Sequence, residues 1–296
     1  TMDMGDTEKL ATYSQEAARS GIIMEPPSVN SGVIDFAAEP DTQARIRYAL
    51  SGLKNVGAGA AAAIAIERAK GIYIDMADFA NRMPPNGVTK RTIEQLAAAG
   101  AFDELEENRA RIHAGAAQIV AYAKQEGADR KGGVLDLFAN EESGARKLQL
   151  PDVPAWSIGE MCGYEHGAIG HYVSAHPVDE HAEVLKRIST TTRQDLMQKC
   201  KFGKIQGQVP CVVVGAKRRM SKAGNPFYVI TLSDKTGDFE VVAWDDAAML
   251  MKQLLVPGMV IVAMLEARMR EGAPSLSLQS ARSVEDATAP RVTRRR

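Results

Sequence analysis

The residues of this chain that are best suited to bind a ligand lie in a turn between two predicted helices. Residues 50–68 read LSGLKNVGAGAAAAIAIER, which predicts a short helix, a hairpin and an alanine-rich helix. Gly57 and Gly59 lack a Cβ atom, so we expect them to permit positive φ and a close approach of backbone amides to a ligand. The N–H groups that open the second helix suit a phosphate. With Lys54 and Asn55, the glycines predict a phosphate-contacting hairpin; a tight turn packed in a core is the alternative.

A second group of candidate residues lies on predicted strands after residue 204. Residues 205–220, 227–233 and 239–244 are joined by SKAGNP and DKTG turns, and two more strands follow a helix predicted at 245–258. This order predicts a five-stranded OB barrel, whose groove often holds single-stranded nucleic acid; a purely structural barrel is the alternative. Alternation sends about half of the side chains inward, so we expect Trp244 and one of the two strand aromatics in the core. The candidate nucleic-acid contacts are Lys217, Arg218, Arg219, Phe227, Tyr228 and Arg268.

An apolar island interrupts the polar segment 126–155, which is rich in Gly and Pro and predicts a linker. An extended peptide with a Leu-Phe pair can bury both side chains in a partner's pocket, each worth about 1.5–3 kcal/mol when fully buried. The polar flanks favour a partner-binding peptide, and docking on the chain's own helices is the alternative. The island comprises Val134, Leu135, Asp136, Leu137 and Phe138.

The histidines and acidic residues do not predict a metal or catalytic site. Four histidines recur every five residues beside a cysteine, but successive positions drift around a helix and share no face. Without a CxxC pair the ligand spacing of a zinc site is missing. Asp234 and Asp238 belong to the DKTGD turn, and Asp245 is expected to cap a helix. The histidines are His166, His171, His176 and His181, the cysteine is Cys162, and His176-Pro177 is expected to open a helix or turn.

The composition is that of an ordinary globular chain with a charge asymmetry. The 296 residues are 45% hydrophobic with a net charge of −1, and three widely spaced cysteines argue against a disulfide framework and favour a reducing compartment. Residues 201–296 carry 15 Lys and Arg against 9 Asp and Glu, whereas residues 1–200 carry 21 against 28. The basic carboxy-terminal third is therefore a candidate polyanion-binding face. No apolar run approaches a membrane span.

These patterns predict a multidomain chain. An all-α helix-hairpin-helix region occupies residues 46–125, the linker with the island spans 126–155, and a helical connector spans 156–203. An all-β five-stranded OB-fold barrel occupies residues 204–286, and a basic disordered tail spans 287–296.

Several stretches resemble the bacterial DNA polymerase III alpha subunit, a replicative C-family DNA polymerase. Residues 8–36 resemble the family's helix followed by PPDVN, and residues 48–83 resemble its helix-hairpin-helix region. Residues 96–105, LAAAGAFDEL, resemble its helix that ends in GAFD, and residues 167–181, GAIGHYVSAHPVDEH, resemble its E-x-x-x-LGFYLSGHPL signature. The resemblance covers about residues 7–286; Ser28 stands where the family usually has Asp, and Ala175 where it usually has Gly.

The resemblance implies roles and partners for these regions. Residues 1–45 would end the fingers region, and the island resembles the clamp-binding peptide Q-L-[SD]-L-F, with Val134 in place of glutamine and hence weaker binding. The implied partners are double- and single-stranded DNA, the sliding clamp and the rest of the holoenzyme, in the bacterial cytoplasm and without a membrane. The family holds two Mg²⁺ ions on palm aspartates, so we expect Mg²⁺ only in the palm of a parent polymerase and no activity from this chain alone.

The sequence therefore predicts a DNA-binding and clamp-binding portion of such a polymerase. A stand-alone helix-hairpin-helix and OB DNA-binding protein without polymerase activity is the first alternative. An unrecognised nucleotidyltransferase or nuclease is the second.

Overall fold

In the computed structural model, residues 7–32, 34–36, 45–84, 87–131, 147–244, 251–270 and 272–289 are described. The backbone forms two compact units, Thr1–Ser174 and Ala175–Arg296, called here the helical unit and the barrel unit. None of the described helices is long and apolar enough to cross a membrane.

The helical unit contains seven helices and a short parallel strand pair within its described residues. Buried side chains from these helices form one core, which includes Tyr48, Ile64, Phe79 and Phe102. The elements are α1 (Thr7–Arg19), β1 (Ile23–Glu25), β2 (Arg45–Arg47), a 3₁₀ turn (Leu50–Gly52), α2 (Ala58–Arg68), α3 (Met76–Arg82), α4 (Lys90–Ala98), α5 (Arg109–Ala114), α6 (Ala116–Lys131) and α7 (Ile158–Ile169).

Short polar side chains define where several of these helices begin. The hydroxyl of Thr89 accepts a hydrogen bond from the backbone N–H of Thr92 and thereby caps α4. Asp75 caps α3 in the same way, and Ser157 forms a capping box with Glu160 at α7. These caps satisfy N–H groups that the first helical turn leaves without a partner.

A buried arginine of α5 connects the turn that follows α4 with α7. Arg109 donates from Nε and Nη2 to both carboxylate oxygens of Asp103, at 2.9 and 2.6 Å, and from Nη1 to Glu165 at 3.2 Å. Glu165 is fully buried and also accepts from the N–H groups of Val173 and Ser174. Burial alone would lower the pKa of Arg109, but the hydrogen bonds and charges of the two carboxylates outweigh burial and raise it. The network therefore joins the GAFD segment to the segment before His176.

The barrel unit consists of a short helical region followed by a closed five-stranded barrel. Buried side chains from its strands form a separate core around Val209, Ile230, Val241 and Leu265. The elements are a 3₁₀ turn (Pro177–His181), α8 (Ala182–Leu185), α9 (Arg193–Lys199), a 3₁₀ turn (Cys200–Phe202), β3 (Ile205–Met220), β4 (Pro226–Asp234), β5 (Gly237–Trp244), β6 (Val260–Arg270), β7 (Ala273–Ser283) and α10 (Val284–Thr288).

The barrel order is β3-β4-β5-β7-β6, with the last strand returning to the first. The long strand β3 makes closure possible, because its first half pairs with β6 and its second half pairs with β4. Strands β5 and β7 are parallel, and the other pairs are antiparallel. The predicted OB-like barrel is therefore confirmed, together with its two hairpin turns, where Gly224 and Gly237 take φ of 78° and 113°.

Three details differ from the sequence-based expectations. Helix α6 continues to Lys131, within the segment predicted as a linker, and Leu148 and Leu150 pack against the helical core. Residues 251–254 form turns rather than part of the helix expected at 245–258, of which residues 245–250 lie outside the described residues. Helix α10 reaches Thr288, so it includes the first residues of the expected tail. The other domain boundaries stay predictions.

We expect Gly100→Ala to destabilise the helical unit more than Gly21→Ala does. Both glycines follow a helix with nearly equal positive φ, 80° and 78°, so each alanine costs about 1 kcal/mol in backbone strain. A Cβ on Gly100 would lie 2.3 Å from Nη2 of Arg109, whereas a Cβ on Gly21 would meet no atom within 4 Å. Overpacking should add about 1–3 kcal/mol at Gly100.

The comparison can be made by urea unfolding followed through Trp156 fluorescence in a Trp244→Phe background. Equal losses of unfolding free energy in the two alanine variants would contradict the role given to the Arg109 contact.

Candidate nucleic-acid interface

The hairpin before α2 is held in place by buried apolar residues and one backbone hydrogen bond. Leu53 and Val56 are buried in the helical core, and the N–H of Lys54 donates to the carbonyl of Ala168 at 3.0 Å. The side chains of Lys54 and Asn55 are exposed. A fixed backbone thus presents a cation and an amide to solvent.

The left-handed residue of the hairpin is Asn55, with φ of 61°, and not either glycine. Gly57 caps α2 with φ of −67° and ψ of 152°, and Gly59 lies in the first turn of the helix. The turn thus does contain a positive φ, but at Asn55 and not at the two glycines that were expected to permit it. Asn tolerates the left-handed region better than most residues, and so the turn needs no glycine there.

What the glycines provide is open space at a helix start. A Cβ on Gly57 or Gly59 would meet no atom within 4 Å, so internal packing does not require glycine at either position. No side chain caps α2, which leaves the N–H groups of Ala58 and Gly59 without an intrahelical acceptor. The arrangement can accept an anion such as a phosphate oxygen, with Lys54 nearby.

On the barrel, the register brings one basic residue and two aromatic residues into a row. Arg219 on β3 pairs with Phe227 on β4, which pairs with Trp244 on β5. The rings of Phe227 and Trp244 lie 6.2 Å apart between centroids, and Trp244 is 60% exposed. The expectation that Trp244 belongs to the core is wrong, because it ends its strand on the outward face. Lys217 lies in the next outward row, paired with Val229.

The remaining barrel candidates lie elsewhere. Arg218 and Tyr228 pair with each other on the opposite side of the strands; Arg218 is exposed near the strand end, whereas Tyr228 packs against the barrel core. Arg268 is exposed on β6, where Ala267 pairs with Ile205 at the start of β3. The predicted set therefore divides between the two ends of β3.

The apolar island and the histidine and acidic residues were also considered in the sequence analysis. The island Val134–Phe138 lies outside the described residues. In the described part of the chain, no group of three or more His, Cys, Asp or Glu residues is placed to hold a metal ion. As expected, Asp234 belongs to the hairpin turn, where it accepts from the N–H of Thr236 at 2.8 Å.

Two histidines are buried parts of the fold. His176 caps the 3₁₀ turn Pro177–His181, where its Nδ1 accepts from the N–H of Val178 at 3.2 Å, which confirms the expected turn-opening role. The ring of His171 packs beside Tyr48 in the helical unit. Both histidines are more than nine-tenths buried, and burial lowers the pKa of each to about 4.

The fold and these surfaces define a nucleic-acid-binding class, in which a helix-hairpin-helix domain precedes an OB-like barrel. Residues 21–112 match the family described as the helix-hairpin-helix motif. Nearly the whole chain is also similar to DNA polymerase III alpha subunits. The identity is 34% over 273 residues with that of Caulobacter vibrioides, 31% over 297 residues with that of Saccharopolyspora erythraea and 33% over 252 residues with that of Thermus aquaticus.

These matches cover 92%, 96% and 83% of this chain, but only 24%, 24% and 20% of the respective relatives. The chain thus spans about a quarter or less of the length of the curated relatives it matches. It is homologous to that part of the bacterial DNA polymerase III alpha subunits, as the sequence motifs predicted.

We expect the free energy of unfolding to fall as the pH drops below about 6.5. The unfolded chain protonates its histidines near pH 6.5, whereas folded His171 and His176 protonate near pH 4. Between these values the unfolded state binds more protons, so the stabilisation is complete above pH 6.5 and is lost progressively toward pH 4. At about pH 5 the loss is roughly 2 kcal/mol per histidine.

Pulse-labelling hydrogen exchange across a urea series, read by mass spectrometry, resolves the two units. His176→Asn keeps a capping acceptor without a titrating group, so it should reduce the pH dependence of the barrel unit alone. An unaltered pH dependence of the barrel unit in this variant would refute the assignment to His176.

Proposed function

We propose that this chain is a DNA-contacting region of a DNA polymerase III alpha subunit that acts in template-directed DNA synthesis. The observation that carries the proposal is the open start of α2, where the exposed Gly57 and Gly59 leave backbone N–H groups accessible beside Lys54. Backbone amides contact phosphates without reading bases, so this hairpin suits duplex DNA of any sequence. In a bacterial cell this function belongs to the cytoplasmic replication machinery.

The barrel is proposed to hold single-stranded DNA. Arg219 and Lys217 provide cations at neighbouring outward positions, and Phe227 and Trp244 provide ring faces on which bases can stack. Phosphate neutralisation and stacking tolerate any base sequence, as template handling requires.

The apolar island is proposed to bind the sliding clamp. Its support is the sequence alone, since Leu137 and Phe138 form the Leu-Phe pair of a clamp-binding peptide in a polar segment. An extended peptide of this kind gains its affinity by burying alternate apolar side chains in a partner's pocket.

We expect Gly57→Val and Gly59→Val to weaken duplex DNA binding by about tenfold, because a side chain at either position blocks phosphate approach to the amides. Neither position has positive φ or a packed neighbour, so the fold should tolerate both changes. Gly163→Val is the matched control, since Gly163 is also an exposed helical glycine with open space at its Cβ position.

Fluorescence anisotropy with a labelled duplex of arbitrary sequence measures the effect, and circular dichroism checks the fold. If the hairpin variants bind duplex DNA as tightly as the Gly163 variant does, the hairpin is not the duplex site.

For single strands, Trp244→Ala should weaken binding to oligo(dT) at least fivefold, because loss of one stacked base costs about 1–3 kcal/mol. Arg219→Gln should reduce the magnitude of the log–log salt slope by about 0.7 for each phosphate that the arginine neutralises. Tyr228→Phe removes a hydroxyl on the opposite side of β4 and serves as the control. Equal affinities and slopes in all three variants would mean that this face does not bind single strands.

For the clamp, Leu137→Ala combined with Phe138→Ala should weaken binding to the cognate clamp at least tenfold, which corresponds to about 1.4 kcal/mol. Val134→Gln should strengthen binding by restoring the glutamine of the peptide pattern, and Asp136→Ser should leave it unchanged. Surface plasmon resonance on immobilised clamp gives the three values. Clamp binding that survives the double alanine substitution would show that the island is not the contact.

A further inference from the structure

Phe202 is an exposed aromatic residue that the proposed function does not yet use. Its side chain is 95% exposed, more than any other large hydrophobic residue in the described part of the chain. It ends the 3₁₀ turn Cys200–Phe202, and Gly203 follows with φ of 142° and redirects the chain into β3.

The turn that carries Phe202 is anchored in the barrel core. Cys200 is fully buried, and its Sγ donates to the carbonyl of Met197 at 3.2 Å. The turn packs against β6. Because Cys200 points into the core, the residue two positions later faces solvent. The ring is therefore held in solvent on a fixed backbone. The fold forgoes the stabilisation of about 1.5–3 kcal/mol that full burial of this side chain would give.

Cations flank Phe202 in the chain and lie at the neighbouring end of β6. Lys199, Lys201 and Lys204 are exposed on either side of it in sequence, and the Ile205–Ala267 pair brings the end of β6 alongside Lys204. Arg268 is the next residue of β6 and is also exposed. We call this the Phe202 surface; it comprises Lys199, Lys201, Phe202, Lys204 and Arg268.

The acidic residue beside this surface is already engaged. Glu266 forms an ion pair with Lys204 at 2.9 Å and accepts from the side-chain amide of Gln206 at 2.9 Å. These contacts hold the pKa of Glu266 below its usual range. Lys199, Lys201 and Arg268 consequently leave the surface with net positive charge.

The combination of an exposed ring with cations on neighbouring residues favours a nucleic acid over a protein partner. Protein interfaces are depleted of lysine at their centres, where aromatic anchors enter desolvated pockets. An unpaired base offers a π-face to an aromatic ring, and its flanking phosphates pair with lysine and arginine. Duplex DNA offers no accessible base face, so the geometry suits a single strand.

We propose that the Phe202 surface is a second single-strand contact, in which one unpaired base stacks on Phe202 and the adjacent phosphates contact Lys201 and Arg268. This proposal rests on the proposed single-strand function of the barrel. The surface lies at the start of β3, whereas Lys217 and Arg219 lie near its end. A strand that reaches both contacts follows β3, which has 16 residues and thus a contour of about 50 Å.

The test compares Phe202→Ala, Phe202→Leu and Phe202→Trp in the full chain, with fluorescein-labelled oligo(dT) of about 16 nucleotides, the upper end of OB-fold site sizes. Oligo(dT) cannot form a duplex, and the basic tail is common to all variants. Alanine and leucine should each weaken binding at least fivefold, because both remove the ring, whereas tryptophan should bind within about twofold of wild type. Val256→Ala, which truncates another exposed apolar residue of the unit, should have no effect.

A second probe separates stacking from charge. On an abasic oligodeoxynucleotide of equal length, Phe202→Ala should bind like the wild type, because no base is present to stack. Lys201→Gln should reduce the magnitude of the salt slope on both probes by about 0.7.

The outcomes distinguish this inference from the proposed function. If Phe202→Ala binds oligo(dT) like the wild type while Trp244→Ala binds weakly, the inference is overturned and the proposed function stands. If Phe202→Leu retains wild-type affinity, the contact is apolar and not a stacking contact, which also overturns the inference. If neither aromatic variant alters binding, both this inference and the single-strand function of the barrel fail.

Discussion

The helical unit depends on the buried charge of Arg109. Its guanidinium neutralises Glu165, which is fully buried, and its other edge is held by Asp103. Removing one partner of such a group leaves an uncompensated buried charge, which costs about 3–5 kcal/mol. Glu165 belongs to α7, and the carbonyl of Ala168 in the same helix accepts the hydrogen bond from Lys54 at the hairpin. The position of the candidate DNA-contacting turn is thus linked to the arginine through α7.

This linkage gives a physical meaning to two of the sequence motifs. Gly100 of the GAFD segment must lack a side chain because Arg109 occupies that space, and Asp103 of the same segment binds the guanidinium. Glu165, two residues before the second segment (167–181), accepts hydrogen bonds from the N–H groups of Val173 and Ser174 within that segment. The sequence showed these motifs as separate patterns; only the structure shows that they form one network, because the partners are distant in the chain.

Local patterns predicted most of the fold but only part of the candidate site. Alternation and turn residues located the five strands, since these signals are local. The side chains of the barrel surface were harder to assign. Arg268 was grouped with Lys217, although β3 changes partner along its length and separates them. In the sequence, the 16-residue length of β3 was the feature that could have indicated this change of partner. Trp244 was wrongly assigned to the core because tryptophan side chains are usually buried. Its position at the end of β5 leaves it exposed.

The two candidate surfaces differ in what they present to DNA, and the difference follows from their secondary structure. A helix start offers backbone N–H groups, which bind phosphates and carry no base preference. A strand surface offers side chains on alternate residues, so it can place rings such as Phe227 and Trp244 beside cations such as Arg219. Aromatic rings can stack only on bases that are unpaired, whereas backbone amides bind phosphates of paired and unpaired strands alike. Under the proposed function, a chain with both surfaces contacts duplex and single-stranded DNA at different places, and neither contact depends on the base sequence.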